Sequence, residues 1–266
     1  MTENKRAVLF FDIDGTLFSE KTMQIPESAI RALQKAKENG HVIFANTGRT
    51  ICSVPKILYE IGVDGFICGC GTYIEYKGEV LLSKPIERKR GHELVEKMLE
   101  CRIYPLLEGV EDAYLPREIT PFQAIEYIRG YMTPMGVGVK TAAEDNNYEY
   151  DKIFMVADEN SNKESFFEEI KDEMVIIDRR NGVYECLQKD YSKATAMEYM
   201  RKYLGAEIDD IYVFGDSSND LVMFEYAKHN VAMGKHDPVL EPYAELITDD
   251  VDEDGIFHAL EKLGII

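Results

Sequence analysis

Three short apolar runs, each followed at once by a polar turn, constrain the fold of this chain more than any other feature. The runs lie at residues 7–11, 41–45 and 211–214. A short, continuous apolar run closed by Asp, Thr or Gly is typical of a strand buried on both faces of a parallel sheet. Between the first two runs, a helical spacing of apolar residues ends at Asn39-Gly40. Strand, helix and strand in succession predict a βαβ unit with parallel strands and a right-handed crossover.

The C-terminal part of the chain repeats this alternation. A helix is predicted from Ser192 to about Leu204, directly before the third apolar run. After that run we predict a helix, a short strand and a last helix, at 221–227, 230–234 and 255–263. Both ends of the chain therefore predict a doubly wound, Rossmann-like α/β fold.

The middle of the chain has a different pattern. Short strand-like pieces at 103–107, 152–156 and 182–186 alternate with amphipathic stretches at 91–101, 121–131 and 161–173. Runs that are not uniformly apolar predict an α+β sheet with one face covered. The economical arrangement is an α/β core domain made of residues 1–83 and 189–266, with an α+β domain inserted at 84–188.

Composition excludes several classes of partner. The 266 residues carry 30 Lys and Arg against 49 Asp and Glu, a formal net charge of −19. An acidic surface argues against nucleic acid and anionic membranes, because phosphate-rich partners need excess Lys and Arg. The first apolar run is too short for a signal-peptide core, and no stretch approaches the roughly 20 apolar residues that span a bilayer. A cytoplasmic location, reduced cysteines and, by default, a monomer are predicted.

Polar residues follow all three apolar runs, and the carboxyl ends of parallel strands meet at one edge of a sheet. These residues are Asp12 and Asp14 after the first run, Thr47 and Gly48 after the second, and Asp216, Asn219 and Asp220 after the third. Any one aspartate could be a simple turn former. Four carboxylates in one crevice repel each other unless a cation lies among them, and an all-oxygen set suits Mg²⁺.

Four segments then show a family resemblance. Residues 11–17 (FDIDGTL), 46–49 (NTGR), 192–193 (SK) and 215–220 (GDSSND) resemble, in this order, the motifs of the haloacid dehalogenase superfamily. They are most similar to its Cof-type phosphatases with a type IIB cap, and the inserted segment lies where that subfamily carries its cap. The resemblance implies a Mg²⁺-dependent phosphatase acting on a small soluble phosphate ester: a sugar phosphate, a nucleotide or a phosphorylated cofactor.

The resemblance also implies roles for the first motif. Asp12 would be the nucleophile that forms an aspartyl-phosphate. Asp14 would protonate the leaving oxygen and then accept a proton from the hydrolytic water. Family members also use the backbone carbonyl at the Asp14 position as a metal ligand. The cap would close over the substrate, exclude water and determine specificity.

The other motifs supply the rest of the implied site. Thr47 and Gly48 would bind the phosphoryl oxygens, and Lys193 would supply positive charge against phosphate and the nucleophile. Asp216 would be the second metal carboxylate, Asp220 would bind the metal directly or through water, and Asn219 would contact phosphate. The subfamily usually has Gly after the motif lysine, whereas this chain has Ala194.

Two alternatives stay open at this point. A phosphosugar mutase could share the architecture, and a catalytically idle protein could bind a phosphorylated ligand as a sensor.

The remaining sequence signals are interpreted without a catalytic or binding role. The basic run at 87–90 is interpreted as a solvated face, the acidic run at 249–254 as exposed capping before the last helix, and the loop at 136–141 as not a phosphate loop. The histidines and cysteines predict no zinc site.

Overall fold

The computed structural model describes residues 6–266. These residues divide into two compact units. The first contains residues 6–48, Pro55–Leu82 and Ser192–Ile266, and the second contains Arg49–Val54 and Ser83–Tyr191. The second unit begins and ends within a few residues of the predicted insertion and adds Arg49–Val54. The domain bounds 1–83, 84–188 and 189–266 remain predictions.

Within the described residues, the strands are, in chain order, β1 (Val8–Phe11), β2 (Val42–Asn46), β3 (Gly65–Cys68), β4 (Tyr73–Tyr76), β5 (Glu79–Ser83), β6 (Tyr104–Glu108), β7 (Ala113–Tyr114), β8 (Lys152–Val156), β9 (Met174–Asp178), β10 (Val183–Gln188), β11 (Ile211–Gly215), β12 (His229–Ala232) and β13 (Leu246–Ile247). The α-helices are α1 (Glu27–Glu38), α2 (Ile57–Glu60), α3 (Arg88–Glu100), α4 (Gln123–Met132), α5 (Lys163–Ile170), α6 (Lys193–Leu204), α7 (Leu221–Tyr226) and α8 (Gly255–Lys262). No helix of the described chain is long and apolar enough to cross a membrane.

The sheet of the first unit is mostly parallel. Its strand order is β13-β12-β11-β1-β2-β3-β4-β5, and β3 pairs antiparallel with β4. Every residue of β1 is buried, because β1 pairs with β2 on one side and β11 on the other and both faces of the sheet are covered. Helices α6 and α7 cover the face that carries Val8 and Phe10. The predicted doubly wound α/β fold is confirmed.

The sheet of the second unit is antiparallel, in the order β7-β6-β8-β10-β9. Helices α3 and α5 cover one face through residues such as Leu94 and Phe166. The expectation that only one face is covered is wrong, because α4 packs Ile125 against Leu106 and Val156 on the opposite face. The α+β character is confirmed.

The second sheet also contains a buried ion pair. Lys152 Nζ lies 3.0 Å from Glu108 Oε1, and both side chains are less than a tenth exposed. Glu108 and Lys152 face each other across β6 and β8, so the pair needs no long side-chain reach. Burial raises the pKa of Glu108 even though Lys152 opposes the shift.

Two surface interpretations are wrong in part. Arg90 of the basic run is not simply solvated: it donates hydrogen bonds to Glu169 (2.9 Å) and Glu173 (2.7 Å), because α3 begins at Arg88 and packs beside α5. Asp254 precedes α8 but makes no side-chain capping bond, since its backbone is left-handed there (φ 60°). In the same acidic run, Asp249 instead pairs with His258 at 2.7 Å.

Candidate active site

Asp12 and Asp216 lie at the ends of neighbouring strands. The parallel register pairs Phe11 of β1 with Phe214 of β11, so both chains leave the sheet at the same level. The N–H of Asp12 still donates to the carbonyl of Phe214 (2.9 Å). The side chain of Asp12 is therefore fixed by the sheet, and it is only 4% exposed.

Lys193 reaches this edge of the sheet from the first turn of α6. Ser192 caps that helix: its hydroxyl accepts from the N–H of Thr195, and the Thr195 hydroxyl accepts from the N–H of Ser192. Such a reciprocal cap fixes the direction in which the helix starts. The ammonium of Lys193 donates to Asp12 Oδ1 and to Asp220 Oδ1, each at 2.6 Å, and its side chain is 1% exposed.

The charge of Lys193 is maintained by these carboxylates. Burial disfavours an ammonium, but Asp12 and Asp220 outweigh it and hold the pKa of Lys193 above its usual range. Lys193 therefore stays protonated at neutral pH and neutralises one of the negative charges around it.

Asp220 connects Lys193 to the turn after β11. Its Oδ1 accepts from Lys193, and its Oδ2 accepts from the backbone N–H groups of Asp216 (3.0 Å) and Ser217 (3.1 Å). A buried carboxylate with both oxygens hydrogen-bonded acts as a fixed support. These contacts orient the 216–220 turn, in addition to any contact that Asp220 makes with a metal.

Asn219 presents its amide nitrogen towards Gly48. Its Oδ1 accepts from the ammonium of Lys193 (3.2 Å) and from the hydroxyl of Ser217 (2.9 Å). Because the oxygen is used in this way, the NH₂ group is the donor end of the side chain. A Cβ placed on Gly48 would lie 3.9 Å from that nitrogen.

Thr47 and Gly48 follow β2 and are held by the next turn of the chain. Thr47 is buried, its N–H donates to the carbonyl of Ile67 (2.9 Å), and its carbonyl accepts from the N–H of Cys70 (3.1 Å). The thiol of Cys70 lies 3.4 Å from the position of a Cβ on Gly48. The Cys70 thiol and the Asn219 amide therefore lie on the side of Gly48 where a Cβ would project, at ordinary van der Waals distances from it.

The turn after Asp12 brings the backbone against Asp216. Gly15 has φ 79°, and a Cβ on it would overlap the Asp216 carboxylate. Only glycine suits both the left-handed conformation and this approach. The hydroxyl of the buried Thr16 then donates to Asp216 Oδ1 (3.0 Å) and fixes the rotation of that carboxylate.

Three carboxylates could hold a metal ion. One oxygen each of Asp12, Asp216 and Asp220 lie within 4.8 Å of one another. Burial, together with Asp220, raises the pKa of Asp216 to about 7, and burial raises the pKa of Asp12 despite Lys193. Three acidic groups therefore surround one ammonium, and an oxygen-preferring divalent cation fits the remaining negative charge.

The structure brings together most of the residues predicted for the site. Hydrogen bonds directly connect four of them: Asp12, Lys193, Asn219 and Asp220. The backbone N–H of Asp216 donates to Asp220, and Gly48 lies beside the amide nitrogen of Asn219. The carboxylate of Asp14 is not part of the three-carboxylate group, although its charge contributes to the raised pKa of Asp216.

Sequence reasoning gave no role to three residues that support this site, Thr16, Ser217 and Cys70. Thr16 and Ser217 lie inside two of the recognised motifs, and this position in the sequence could have indicated that they belong to the site. Nothing in the sequence marks Cys70, because it depends on a turn that packs against Gly48 from another strand end.

A cavity of about 320 Å³ opens beside Asp216 within the first unit. Gly15 and Ser217 contribute to its lining, together with charged side chains of both signs, among them Lys21, Lys235 and Asp237. Solvent and small ions therefore have a route to the Asp216 carboxylate in this unit.

The sequence matches the family model described as haloacid dehalogenase-like hydrolase over residues 9–260. YkrA of Bacillus subtilis (strain 168), a candidate phosphatase, is 29% identical over 263 residues, covering 97% of this chain and 98% of YkrA. YwtE of the same organism, a 5-amino-6-(5-phospho-D-ribitylamino)uracil phosphatase, is 25% identical over 281 residues, covering 95% and 96% of the two chains.

A solved structure shows the same fold. The sugar phosphatase BT4131, assigned to subclass IIB of the haloacid dehalogenase superfamily, aligns with a TM-score of 0.81 at 25% sequence identity. The alignment covers 98% of this chain and 100% of that one.

Proposed function

This chain belongs to the haloacid dehalogenase-like hydrolases, and from that premise we propose that it is a Mg²⁺-dependent phosphatase acting through an aspartyl-phosphate at Asp12. The substrate class is a small soluble phosphomonoester: a sugar phosphate, a nucleotide or a phosphorylated cofactor. The observation that carries the proposal is the buried contact between Asp12 and Lys193, at the edge of the sheet where Asp216 and Asp220 also lie.

Attack on phosphorus is assigned to Asp12. Its Oδ1 accepts from Lys193, so we assign Oδ2 as the attacking oxygen. The new Oδ2–P bond forms as the ester P–O bond breaks, and Asp14 gives its proton to the leaving oxygen. Water then attacks phosphorus, Asp14 takes a proton from that water, and the Oδ2–P bond breaks to release inorganic phosphate.

The phosphoryl oxygens need donors on the side away from the leaving group. We assign this role to the Thr47 hydroxyl, the Gly48 N–H, the amide of Asn219 and the ammonium of Lys193. The orientation of the Asn219 amide, whose oxygen is used by Lys193 and Ser217, supports this assignment. Fixed donors placed before the reaction stabilise charge that develops during phosphoryl transfer.

A metal ion fits the carboxylate group as described above. Asp12, Asp216 and the backbone carbonyl of Asp14 would hold it, with Asp220 binding directly or through water. When bound, Mg²⁺ supplies positive charge that lowers the repulsion between the anionic substrate and the carboxylates. The excess of carboxylates over ammonium groups supports the need for such an ion.

The proposed activity is tested by phosphate release from a metabolite panel. The purified protein is incubated with Mg²⁺ and with sugar phosphates, nucleotides and phosphorylated cofactors, including the substrate of YwtE, and inorganic phosphate is measured. Release from at least one ester is expected. No release from any ester would favour the phospho-ligand sensor, and an isomerised sugar phosphate without free phosphate would favour the mutase.

The variant Asp12→Asn tests the nucleophile. We expect turnover to fall by at least about a thousandfold, because an amide cannot form the covalent intermediate. Its thermal unfolding midpoint should match or exceed that of the wild type, because a buried charge is removed. Asp209→Asn, at an exposed aspartate of the same unit outside the cavity beside Asp216, is the matched control. Full activity in Asp12→Asn would exclude the mechanism.

A further inference from the structure

The turn Gly69–Gly71 touches both halves of the proposed phosphate site, although it carries none of the assigned residues. Its three residues all have left-handed φ angles, of 59°, 55° and 101°. For Cys70 this conformation is costly, since L residues other than glycine seldom adopt it. The hydroxyl of Thr72 donates to the carbonyl of Gly69 (3.2 Å) and closes the turn.

One side of the turn holds the end of β2. The N–H of Cys70 donates to the carbonyl of Thr47, and the Cys70 thiol lies against Gly48. Both contacts depend on the left-handed backbone of Cys70, which directs its N–H and its side chain towards β2. The turn thereby limits the movement of the two residues proposed to bind phosphoryl oxygens.

The other side of the turn holds the start of α6. A Cβ on Gly71 would overlap the carbonyl group of Ser192, so the two backbones are in direct contact. Ser192 caps α6, and Lys193 is the first residue of that helix. A second buried contact supports the same junction: the amide of Asn46, at the end of β2, donates to the carbonyl of Lys193 (3.2 Å).

We propose that Gly69–Gly71 is a positioning element of the phosphate site, which fixes the distance between the Thr47-Gly48 loop and the Lys193 ammonium. This inference rests on the proposed phosphatase function. Misplacing a catalytic group by about 1 Å can reduce turnover by about a hundredfold, so a rigid spacer between the two groups has a direct catalytic effect. Cys70 and Gly71 are positioning residues and do not themselves react.

The decisive variant is Gly71→Ala, and Gly78→Ala is its matched control. Both glycines have left-handed φ angles, but Gly78 has no atom within 4 Å of the position of a Cβ. Both variants therefore place a side chain at a left-handed φ (101° and 79°), and only Gly71→Ala also meets the backbone of Ser192. We expect Gly71→Ala to lower kcat by at least about tenfold and to weaken inhibition by inorganic phosphate by a similar factor.

A second pair of variants distinguishes the contact made by the Cys70 thiol from the general effect of removing a buried thiol. Cys70→Ala removes the contact with Gly48, whereas Cys68→Ala removes another buried thiol two residues earlier. We expect Cys70→Ala to raise KM and the inhibition constant of phosphate about three- to tenfold with a smaller change in kcat. Cys70→Ser, which keeps an atom at the Sγ position, should restore most of that loss, and Cys68→Ala should change only stability.

The outcomes separate this inference from the proposed function. Absence of phosphate release by the wild-type protein would overturn the function first. If the wild type is active, equal kcat and phosphate inhibition in Gly71→Ala and Gly78→Ala would overturn the positioning role alone. Should Gly71→Ala fail to fold, the cysteine pair decides, because the same KM and phosphate inhibition in Cys70→Ala and Cys68→Ala would also overturn it.

Discussion

At the scale of single residues, the site is organised around one buried lysine. Lys193 contacts Asp12, Asp220 and Asn219, which come from two different strand ends. With Asp216, these two aspartates outnumber the single ammonium, so Lys193 keeps the carboxylate of Asp220 as a partner in Asp12→Asn. The same contacts orient the proposed nucleophile and the turn that carries Asp216.

The raised pKa of Asp216, about 7, predicts that metal binding competes with a proton. Mg²⁺ binding requires the carboxylate form, so its apparent affinity should fall about tenfold from pH 8 to pH 6. Titration calorimetry in buffers of different ionisation enthalpy should show about one proton released per ion near pH 6.

In the metal-free protein, Asp216 should make stability fall as pH rises, whereas metal affinity rises with pH. A carboxyl group whose pKa is raised in the folded state takes up its proton there more readily than in the unfolded chain. The contribution of Asp216 to folding therefore decreases as pH rises from about 4 to about 7.

The control for the prediction on metal binding is Asp216→Asn, which should bind Mg²⁺ weakly at every pH. A wild-type affinity for Mg²⁺ that does not change between pH 6 and pH 8 would contradict that prediction.

Sequence motifs predicted the residues of the site better than their contacts. Asp12 and Asp216 could be placed together because adjacent parallel strands end at one edge of a sheet. The use of both Asp220 oxygens could not be predicted, because it depends on how the 216–220 turn folds back on its own N–H groups. The contact of Cys70 with Gly48 could not be predicted for a similar reason, because it comes from packing between two turns.

At the scale of elements, the start of α6 determines where Lys193 points. Ser192 and Thr195 exchange hydrogen bonds there, and loss of such a cap costs about 1 kcal/mol. Ser192→Ala should therefore lower the stability of the protein by about that amount. It should also lower kcat several-fold, because the first turn of α6 can then move and carry Lys193 with it.

The control for this prediction is another helix cap. Asn162 caps α5 in the second unit, where its side chain accepts from the N–H of Ser165. Asn162→Ala should cost a similar amount of stability in chemical denaturation and leave kcat unchanged. Equal loss of kcat in the two variants would show that Ser192 has no special effect on Lys193.

Only some of the buried strands of the first sheet were predicted. Runs 7–11 and 211–214 predicted β1 and β11 within one residue, because strands between two neighbours are apolar throughout. β3 was not predicted although all four of its residues are buried, and β4 and β5, at the edge of the sheet where Val80 is half exposed, were not predicted either. Arg88 begins α3 earlier than its apolar spacing indicated, since Glu87 caps the helix before the first buried residue.

At the scale of the whole molecule, His41 helps to hold the start of the described chain. The N–H of Ala7, just before β1, donates to Nδ1 of His41 (3.0 Å), so that nitrogen must be unprotonated. Nearby, the amide of Asn39 donates to the carbonyl of Ile265, next to the C-terminus (2.8 Å). Residues near both ends of the chain are thus held at one place.

This arrangement predicts that the contribution of His41 to stability is lost in mild acid. Burial lowers the pKa of His41 below its usual 6.5. Below about pH 6.5 the unfolded chain gains a proton at His41 that the folded chain resists, so this contribution to the free energy of unfolding falls as pH decreases. Urea denaturation between pH 8 and pH 5 should show the wild type losing stability relative to His41→Asn as pH falls, because the comparison cancels the opposite contribution of Asp216. A difference between the two proteins that does not change with pH would contradict the prediction.

The position of β1 in its sheet has a consequence for biosynthesis. One of the two partners of β1, the strand β11, begins at Ile211, about 200 residues further along the chain. During translation, one edge of β1 therefore stays unpaired until the whole second unit has been synthesised. Ordering of that unit before β11 emerges would shorten the loop that must close, which makes the speed of its folding a determinant of how much nascent chain escapes aggregation.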